Sequence, residues 1–268
     1  MITLKTSDEL TVLRENSAVL ATIVKALRNK INPGITTAHL DNIAAELIRE
    51  QGARAAFKGY REFPATICTS INEEIVHGIP STKRVLRDGD IISIDIGLIR
   101  NGLYADMAIT VPVGKVSPQA RKLILIARAA LFQGINQVKI GNRVSDISHA
   151  IGHCIEEEGF YPVKEYVGHG IGRQLHEDPS IPNYGPPAQG EMLRPGMVLA
   201  LEPMVKTDPL PVMVLPDGWT VVTATRGLSA HCEHMVAVTE NGAEVLTEIE
   251  LLPEEGSANE LTRNEEVF

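Results

Sequence analysis

IISIDIGLIRNGLYADMAITV, residues 91–111, decides how the rest of the chain is read. Two apolar, β-rich runs flank Asn101-Gly102, the dipeptide that most strongly specifies a two-residue hairpin turn, so the stretch predicts a strand, a tight turn and a returning strand. Pairing about that turn sets Arg100 opposite Leu103 and Gly97 opposite Asp106. Asp95 and Asp106, one on each strand, then share a face as diagonal neighbours, roughly 7–8 Å apart at the backbone and able to converge at their tips. Burying a lone carboxylate costs several kcal/mol, so an acid inside IISIDIGLI needs a partner, a metal or exposure to water. The spacing suits a pair of cations; two solvated acids are the alternative at this point.

Working outward, the composition narrows the choices. The 268 residues carry a formal net charge of −9 and are 44% hydrophobic, enough for a substantial core in one large α/β domain. The negative balance argues against nucleic acid as a ligand, since phosphate binding needs a basic face. Cys68, Cys154 and Cys232 are far apart and without CxxC spacing, which argues against a disulfide framework or a thiolate zinc site and fits a reducing cytoplasm. MITLKTSDEL has no apolar signal-peptide core and no run approaches the ~18 apolar residues of a membrane span. A cytoplasmic protein with no membrane partner is expected.

Thr6 with Glu9 forms a capping-box pattern before a helical periodicity over residues 7–30. A second helix is predicted from about Thr37 to Gln51, strand and loop over 57–80, a helix from Ser117-Pro118 to about Lys139, and another from about Ser145 to Glu158. One interval of 107 residues relates Gly34 to Gly141, Gly52 to Gly159, Gly89 to Gly196 and Asp95 to Glu202, so that LRDGDIISID aligns with LRPGMVLALE. DMAITV at Asp106 likewise resembles EHMVAV at Glu233, 20 residues further on, after an insertion over about 207–226 that holds Trp219. The expectation is a single catalytic domain, 1–268, built from a repeat over about 7–113 and 117–250, with a flexible acidic tail at 253–268. Glycines and apolar positions suffice for a structural repeat; acids held at matching points of two apolar strands point to a duplicated site between the halves.

Between the halves, YVGHGIGRQLHEDP brackets His169 with glycines and places His176 seven residues on. GHGIG lacks the Walker lysine and the dinucleotide spacing. A single histidine in a glycine loop is ordinarily packed or solvated, but four acids in need of a cation shift the balance toward ligation. Asp95, Asp106, Glu202, Glu233 and His169 make an oxygen-rich set able to hold two divalent ions with bridging carboxylates. Two such ions roughly 3.5–4 Å apart lower the pKa of a shared water from about 15.7 toward 7, which is hydrolytic chemistry.

Five ordered stretches, ICTSINEEIVHGIP, SIDIGLIRNGLYADMAIT, YVGHGIGRQLHEDP, GMVLALEPMV and SAHCEHMVAVTENG, resemble the type I methionine aminopeptidases, and the likeness runs from about residue 4 to 250. The resemblance implies the α+β pita-bread fold, in which two pseudo-symmetric halves with antiparallel sheet and helices enclose a dinuclear metal site. It implies that Asp106 and Glu233 bridge the ions, that Asp95 completes one site, and that His169 with Glu202 completes the other. His77 matches the histidine that contacts the substrate amide, His176 the one that stabilises the tetrahedral intermediate, and Glu202 the general base. Tyr60, Phe63, Cys68 and Trp219 match the lining of the methionine pocket, where Phe63 and Phe57 depart from the residues other members carry.

The activity implied is removal of the initiator methionine from nascent polypeptides with a small second residue. The amino termini of those chains are the expected partners. Transient ribosome association is allowed for although the acidity does not favour it, and a monomer is expected. Oxygen-rich ligation admits manganese, iron, cobalt, zinc or magnesium. An aminopeptidase or dipeptidase acting before proline is the enzymatic rival, and a peptide-binding module without catalysis the other. His231 is expected to share a strand face with Glu233, as a support at best. His149 and His153, at i and i+4 on a helix, read as a solvated face with no accompanying acid, and His39 and His234 are given no role.

Overall fold

The computed structural model describes residues 2–249; the tail expected at 253–268 lies outside the described residues. The Thr6 hydroxyl accepts the Glu9 amide while the Glu9 carboxylate accepts the Thr6 N–H, and this reciprocal cap starts α1 (Ser7–Arg28). Thr36 caps α2 (Thr37–Glu50) in the same way with one bond. Strands β1 (Arg54–Ala55), β2 (Ile67–Ile71), β3 (Glu74–Val76), β4 (Ile91–Arg100) and β5 (Leu103–Pro112) follow. Ser117 caps α3 (Pro118–Ile135), with proline at its first position, and α4 (Val144–Glu157) comes next. The remaining strands are β6 (Tyr161–Pro162), β7 (Gly168–Gly170), β8 (Glu177–Ile181), β9 (Val198–Leu201), β10 (Met204–Lys206), β11 (Val212–Val214), β12 (Val221–Thr223), β13 (Ser229–His231), β14 (His234–Thr239) and β15 (Gly242–Val245).

The strand pairs of the described residues are antiparallel, and the architecture is α+β. The hairpin has the register that the Asn-Gly turn dictates: Arg100 opposes Leu103, Gly97 opposes Asp106 and Asp95 opposes Ala108. Asn101 and Gly102 both take positive φ, 52° and 77°, as this turn requires. Helices α1 and α2 bury Leu13, Leu20, Leu27, Leu40 and Ile48 against β2, β4 and β5, while α3 and α4 bury Leu123, Leu131, Ile147 and Ile151 against β9 and β14. Each such side chain contributes ~1.5–3 kcal/mol on burial.

The two helix-and-sheet units join along β5. The Glu233 N–H donates to the Ala108 carbonyl at 2.8 Å. Two residues on, the Thr110 hydroxyl donates to the His231 carbonyl at 2.7 Å and accepts the His231 N–H at 2.8 Å. The helix expected to reach Lys139 stops at Ile135. The amides of Gln137 and Val138 turn back to Gly134 and Ile135, tightening the last turn so that Val138 packs fully buried into the core. Among the described residues no helix is long and apolar enough to cross a membrane.

Candidate active site

The face shared by Asp95 and Asp106 opens on a cavity of about 280 Å³ where the two units meet. All eleven residues singled out from the sequence line it: Tyr60, Phe63, Cys68, His77, Asp95, Asp106, His169, His176, Glu202, Trp219 and Glu233. The hairpin supplies Asp95 and Asp106, β7 supplies His169, the break between β9 and β10 supplies Glu202, and Glu233 enters on its bridge to Ala108. Because 231 and 233 face 110 and 108, His231 and Glu233 share a side along β5, and His231 Nε2 comes within 3.6 Å of Glu202 Oε2.

Ligand atoms of Asp106, His169 and Glu233 lie within 4.8 Å of one another. His169 Nδ1 bonds the Gly170 carbonyl at 2.9 Å, which leaves Nε2 with its lone pair 3.4 Å from Glu202 Oε1. A ring nitrogen fixed by a carbonyl while the other faces an acid cluster is the usual posture of a metal-ligating histidine. The Cys68 thiol donates to Asp95, yet Asp95 Oδ1, Glu233 Oε1 and His231 Nε2 are buried with no hydrogen-bond partner.

Burial pushes the Asp95 carboxyl up to about 7, helped by the Glu202 charge and opposed by His231. Burial first, and neighbouring acids second, raise Asp106 and Glu233 well above the carboxylate range, and burial does the same to Glu202. His169 falls to about 3 through burial and then the nearby His176. Four acids thus crowd one apolar cavity without a lysine or arginine ion pair among the described residues, and the imidazole beside them is held neutral. Such a set is stable as anions only around cations. The orphaned oxygens and the neutral His169 nitrogen fit divalent metal, and the donor chemistry is that of a hard ion.

The other wall is aromatic. Phe63 meets Trp219 edge to face at 5.1 Å, and His77 sits between Trp219 at 5.8 Å and Tyr166 at 5.5 Å. His77 holds a left-handed backbone, φ 61°, a strain that persists when the surroundings over-determine it. Gly78 permits this, because a Cβ there would run into the Thr69 carbonyl of β2. Burial, then His231 and His176, lower His77 to about 4, so it is neutral at pH 7. His176 is also lowered by burial and by Arg61; its Nδ1 lies 2.9 Å from the Tyr60 hydroxyl and its ring 4.3 Å from that of His169.

Sequence reasoning did not single out Tyr166, Leu175 and Met204, which also line the cavity. Tyr166 opens the same YVGHG run as His169, and Met204 is two positions past Glu202, so closeness to the charged motifs was the available signal. His149 and His153 lie elsewhere, on α4, and the reading that no acid accompanies them is corrected: His153 Nε2 is 3.2 Å from Glu157 Oε1. His234 is buried, bonded to Thr247 at 3.0 Å, a packing role.

A model of metallopeptidase family M24 matches residues 11–240. Methionine aminopeptidase 1 of Bacillus subtilis is 51% identical over 249 residues, covering 93% of this chain and all of that one. The crystal structure of a methionine aminopeptidase from Thermotoga maritima superposes with a TM-score of 0.91 at 42% identity, covering 93% of this chain and all of that one. A prolidase from Pyrococcus furiosus shares the fold at a TM-score of 0.76 and 24% identity; this chain covers 66% of it, and 92% of this chain is matched.

Proposed function

The chain belongs to metallopeptidase family M24 and has the pita-bread fold of the methionine aminopeptidases it matches, and from that premise we propose how its own residues act. It is a metal-dependent aminopeptidase that hydrolytically removes methionine from the amino terminus of a polypeptide. Two divalent ions would be held by Asp95, Asp106, His169, Glu202 and Glu233, and we assign them to these five residues. The observation that carries this assignment is the gathering of four acids, Asp106 and Glu233 buried and Asp95 and Glu202 partly so, two of them with orphaned oxygens, around one neutral imidazole nitrogen. Bound there, such ions would supply Lewis-acid polarisation of the scissile carbonyl and would acidify a water at neutral pH.

The protein's side chains do the rest. Glu202, with one oxygen toward His169 and the other toward His231, takes the water proton and returns it to the leaving amine. The Tyr60 hydroxyl lies 2.9 Å from His176 Nδ1; with the hydroxyl as donor, the ring's own proton would sit on Nε2 and be free to donate to the oxyanion as charge develops. Neutral His77 orients the substrate amide. Phe63, Cys68, Trp219 and the ring of Tyr60 enclose the methionine side chain, whose thioether gains ~0.3–1.5 kcal/mol from each aromatic contact.

Substrates with a small second residue, cytoplasmic action on nascent chains as a monomer, and a domain made of two copies about 107 residues apart complete the proposal. Transient ribosome association remains within it. Matching intervals in the helix starts Thr37 and Val144 and in Gly89 and Gly196 support the duplication. The test is release of methionine from Met-Ala-Ser in the presence of added divalent metal. Asp106→Asn is expected to lower kcat/KM on the order of 10³-fold, about 4 kcal/mol of transition-state stabilisation. Trp219→Ala is expected to raise KM by roughly tenfold with a smaller change in kcat, through loss of pocket contacts. Cleavage of Ala-Pro in preference to Met-Ala would overturn the substrate assignment.

A further inference from the structure

Away from the active-site cavity, His149, His153, Glu156 and Glu157 are exposed side chains on one face of α4, at helical positions i, i+4, i+7 and i+8. The first three border a surface cleft of about 260 Å³ whose other wall is Tyr184 and Gly185. Gly152 makes the cleft possible: a Cβ there would press within 3.0 Å of the Asn183 carbonyl and the Tyr184 backbone. Without one, the 183–185 segment rests directly on the helix, and the Gly185 carbonyl reaches His149 Nδ1 at 3.1 Å. On the neighbouring turn, His153 Nε2 lies 3.2 Å from the Glu157 carboxylate.

Each imidazole therefore has one nitrogen beside an acceptor oxygen, and the other, Nε2 of His149 and Nδ1 of His153, is the one left to a ligand. Fixing the tautomer through a carbonyl or carboxylate on the far nitrogen is what orients histidines as metal ligands. The two rings already stand parallel, 4° apart in plane, with centroids 5.7 Å apart. In this structure the three side chains do not yet bring ligand atoms within 4.8 Å of one another. Turning the exposed His153 about χ, a picosecond-to-nanosecond event that gives up its Glu157 contact, is the step by which a metal would draw its ring and the Glu156 carboxylate at the cleft toward His149.

We propose that His149, His153 and Glu156 form a second, peripheral metal site, for a nitrogen-seeking divalent transition cation such as nickel, copper or zinc. Two imidazoles and one carboxylate favour these ions over magnesium or manganese, which prefer an oxygen-rich set such as that of the catalytic cavity. The two sites thus differ in ligand type as well as in place.

The probe is Ni²⁺, added to protein whose catalytic cavity is already loaded with Mn²⁺, with both metals counted by mass spectrometry after equilibrium dialysis and uptake followed by calorimetry. The expected result is one equivalent of nickel beyond any that replaces manganese. His149→Ala and His153→Ala are each expected to weaken that equivalent at least about tenfold, with the rate of methionine release and the circular dichroism spectrum unchanged. Bound Cu²⁺ is expected to show the electron paramagnetic resonance hyperfine pattern of two nitrogens in wild type and of fewer in either variant. The proposal is overturned if wild type takes up no nickel beyond manganese exchange, or if the extra equivalent binds equally well in both variants.

Discussion

Acids meet opposite fates in two regions of this molecule. On the surface, Glu9 is gripped by Arg173 at 2.6 and 3.0 Å and held down to about 2, chiefly by that side-chain bond. Glu244 is likewise held below the usual carboxylate range by a two-pronged pair with Arg14, at 2.6 and 2.8 Å. In the cavity, Asp95, Asp106, Glu202 and Glu233 are all pushed the other way. The same functional group is satisfied by the chain's own cations outside and left without them inside. The difference teaches that, among the described residues, no lysine or arginine pairs with the four cavity acids even though Arg61 stands at the same cavity, so that their partner must come from solution.

The sharpest way to break this comparison is to neutralise one cavity acid without changing its shape. Glu233→Gln is expected to abolish metal-dependent methionine release, again by on the order of 10³-fold. In metal-free protein at pH 8 the same change is expected to stabilise, because it removes a buried anion that has no partner. A gain of about 1–3 kcal/mol is a rise in Tm of roughly 3–10 °C for a chain of this size. Differential scanning calorimetry with and without chelator reads both arms. A metal-free variant less stable than wild type would show that the protein itself already satisfies Glu233.

Removing the metal from the native sequence gives the next effect. An acid whose folded pKa is raised binds more protons folded than unfolded between its unfolded value, near 4, and its folded value. Its favourable contribution is therefore complete below about pH 4 and is lost as pH climbs, through about 7 for Asp95. Chelator-treated protein is expected to lose several degrees of Tm between pH 5 and 8, while the metal-loaded protein does not follow it. A gap between the two that fails to widen with pH would count against an empty cluster of acids as the source.

How much of this was legible beforehand follows from the range of the interactions. Asn101-Gly102 sets its own register, so the Asp95 and Asp106 face could be read from 21 residues alone. The interval of 107 residues carried that reading to Glu202, and the shared motifs carried it to His77 and His176. The end of α3 was not legible, because it is decided by where Val138 finds its core pocket. The Gly185 carbonyl over His149 and the Tyr166 ring beside His77 depend on loop paths set by distant packing. The pairing of His153 with Glu157 is an i,i+4 contact on one helix and so is legible in the sequence, where the spacing of the two histidines alone leaves the acid one turn further on out of account.

The smallest effect tests the surface side of the comparison. Arg14 and Glu244 tie α1 to β15 across exposed positions, with side chains 45% and 35% accessible, and water screens such pairs heavily. Arg14→Ala is expected to cost about 0.2–1 kcal/mol, a Tm fall of no more than about 4 °C, with methionine release unchanged. Glu244 has a depressed folded pKa, so its contribution is present above its unfolded value, near 4.3, and disappears as pH falls through the folded one. The Tm difference between wild type and Arg14→Ala should therefore shrink on acidification, whereas the chelator-induced difference shrinks in the same direction for the opposite reason, protonation relieving buried acids instead of releasing a paired one. High salt separates them: about 1 M chloride shortens the screening length to roughly 3 Å and should erase most of the Arg14 effect, while the buried cluster, shielded from solvent ions, keeps its dependence on metal.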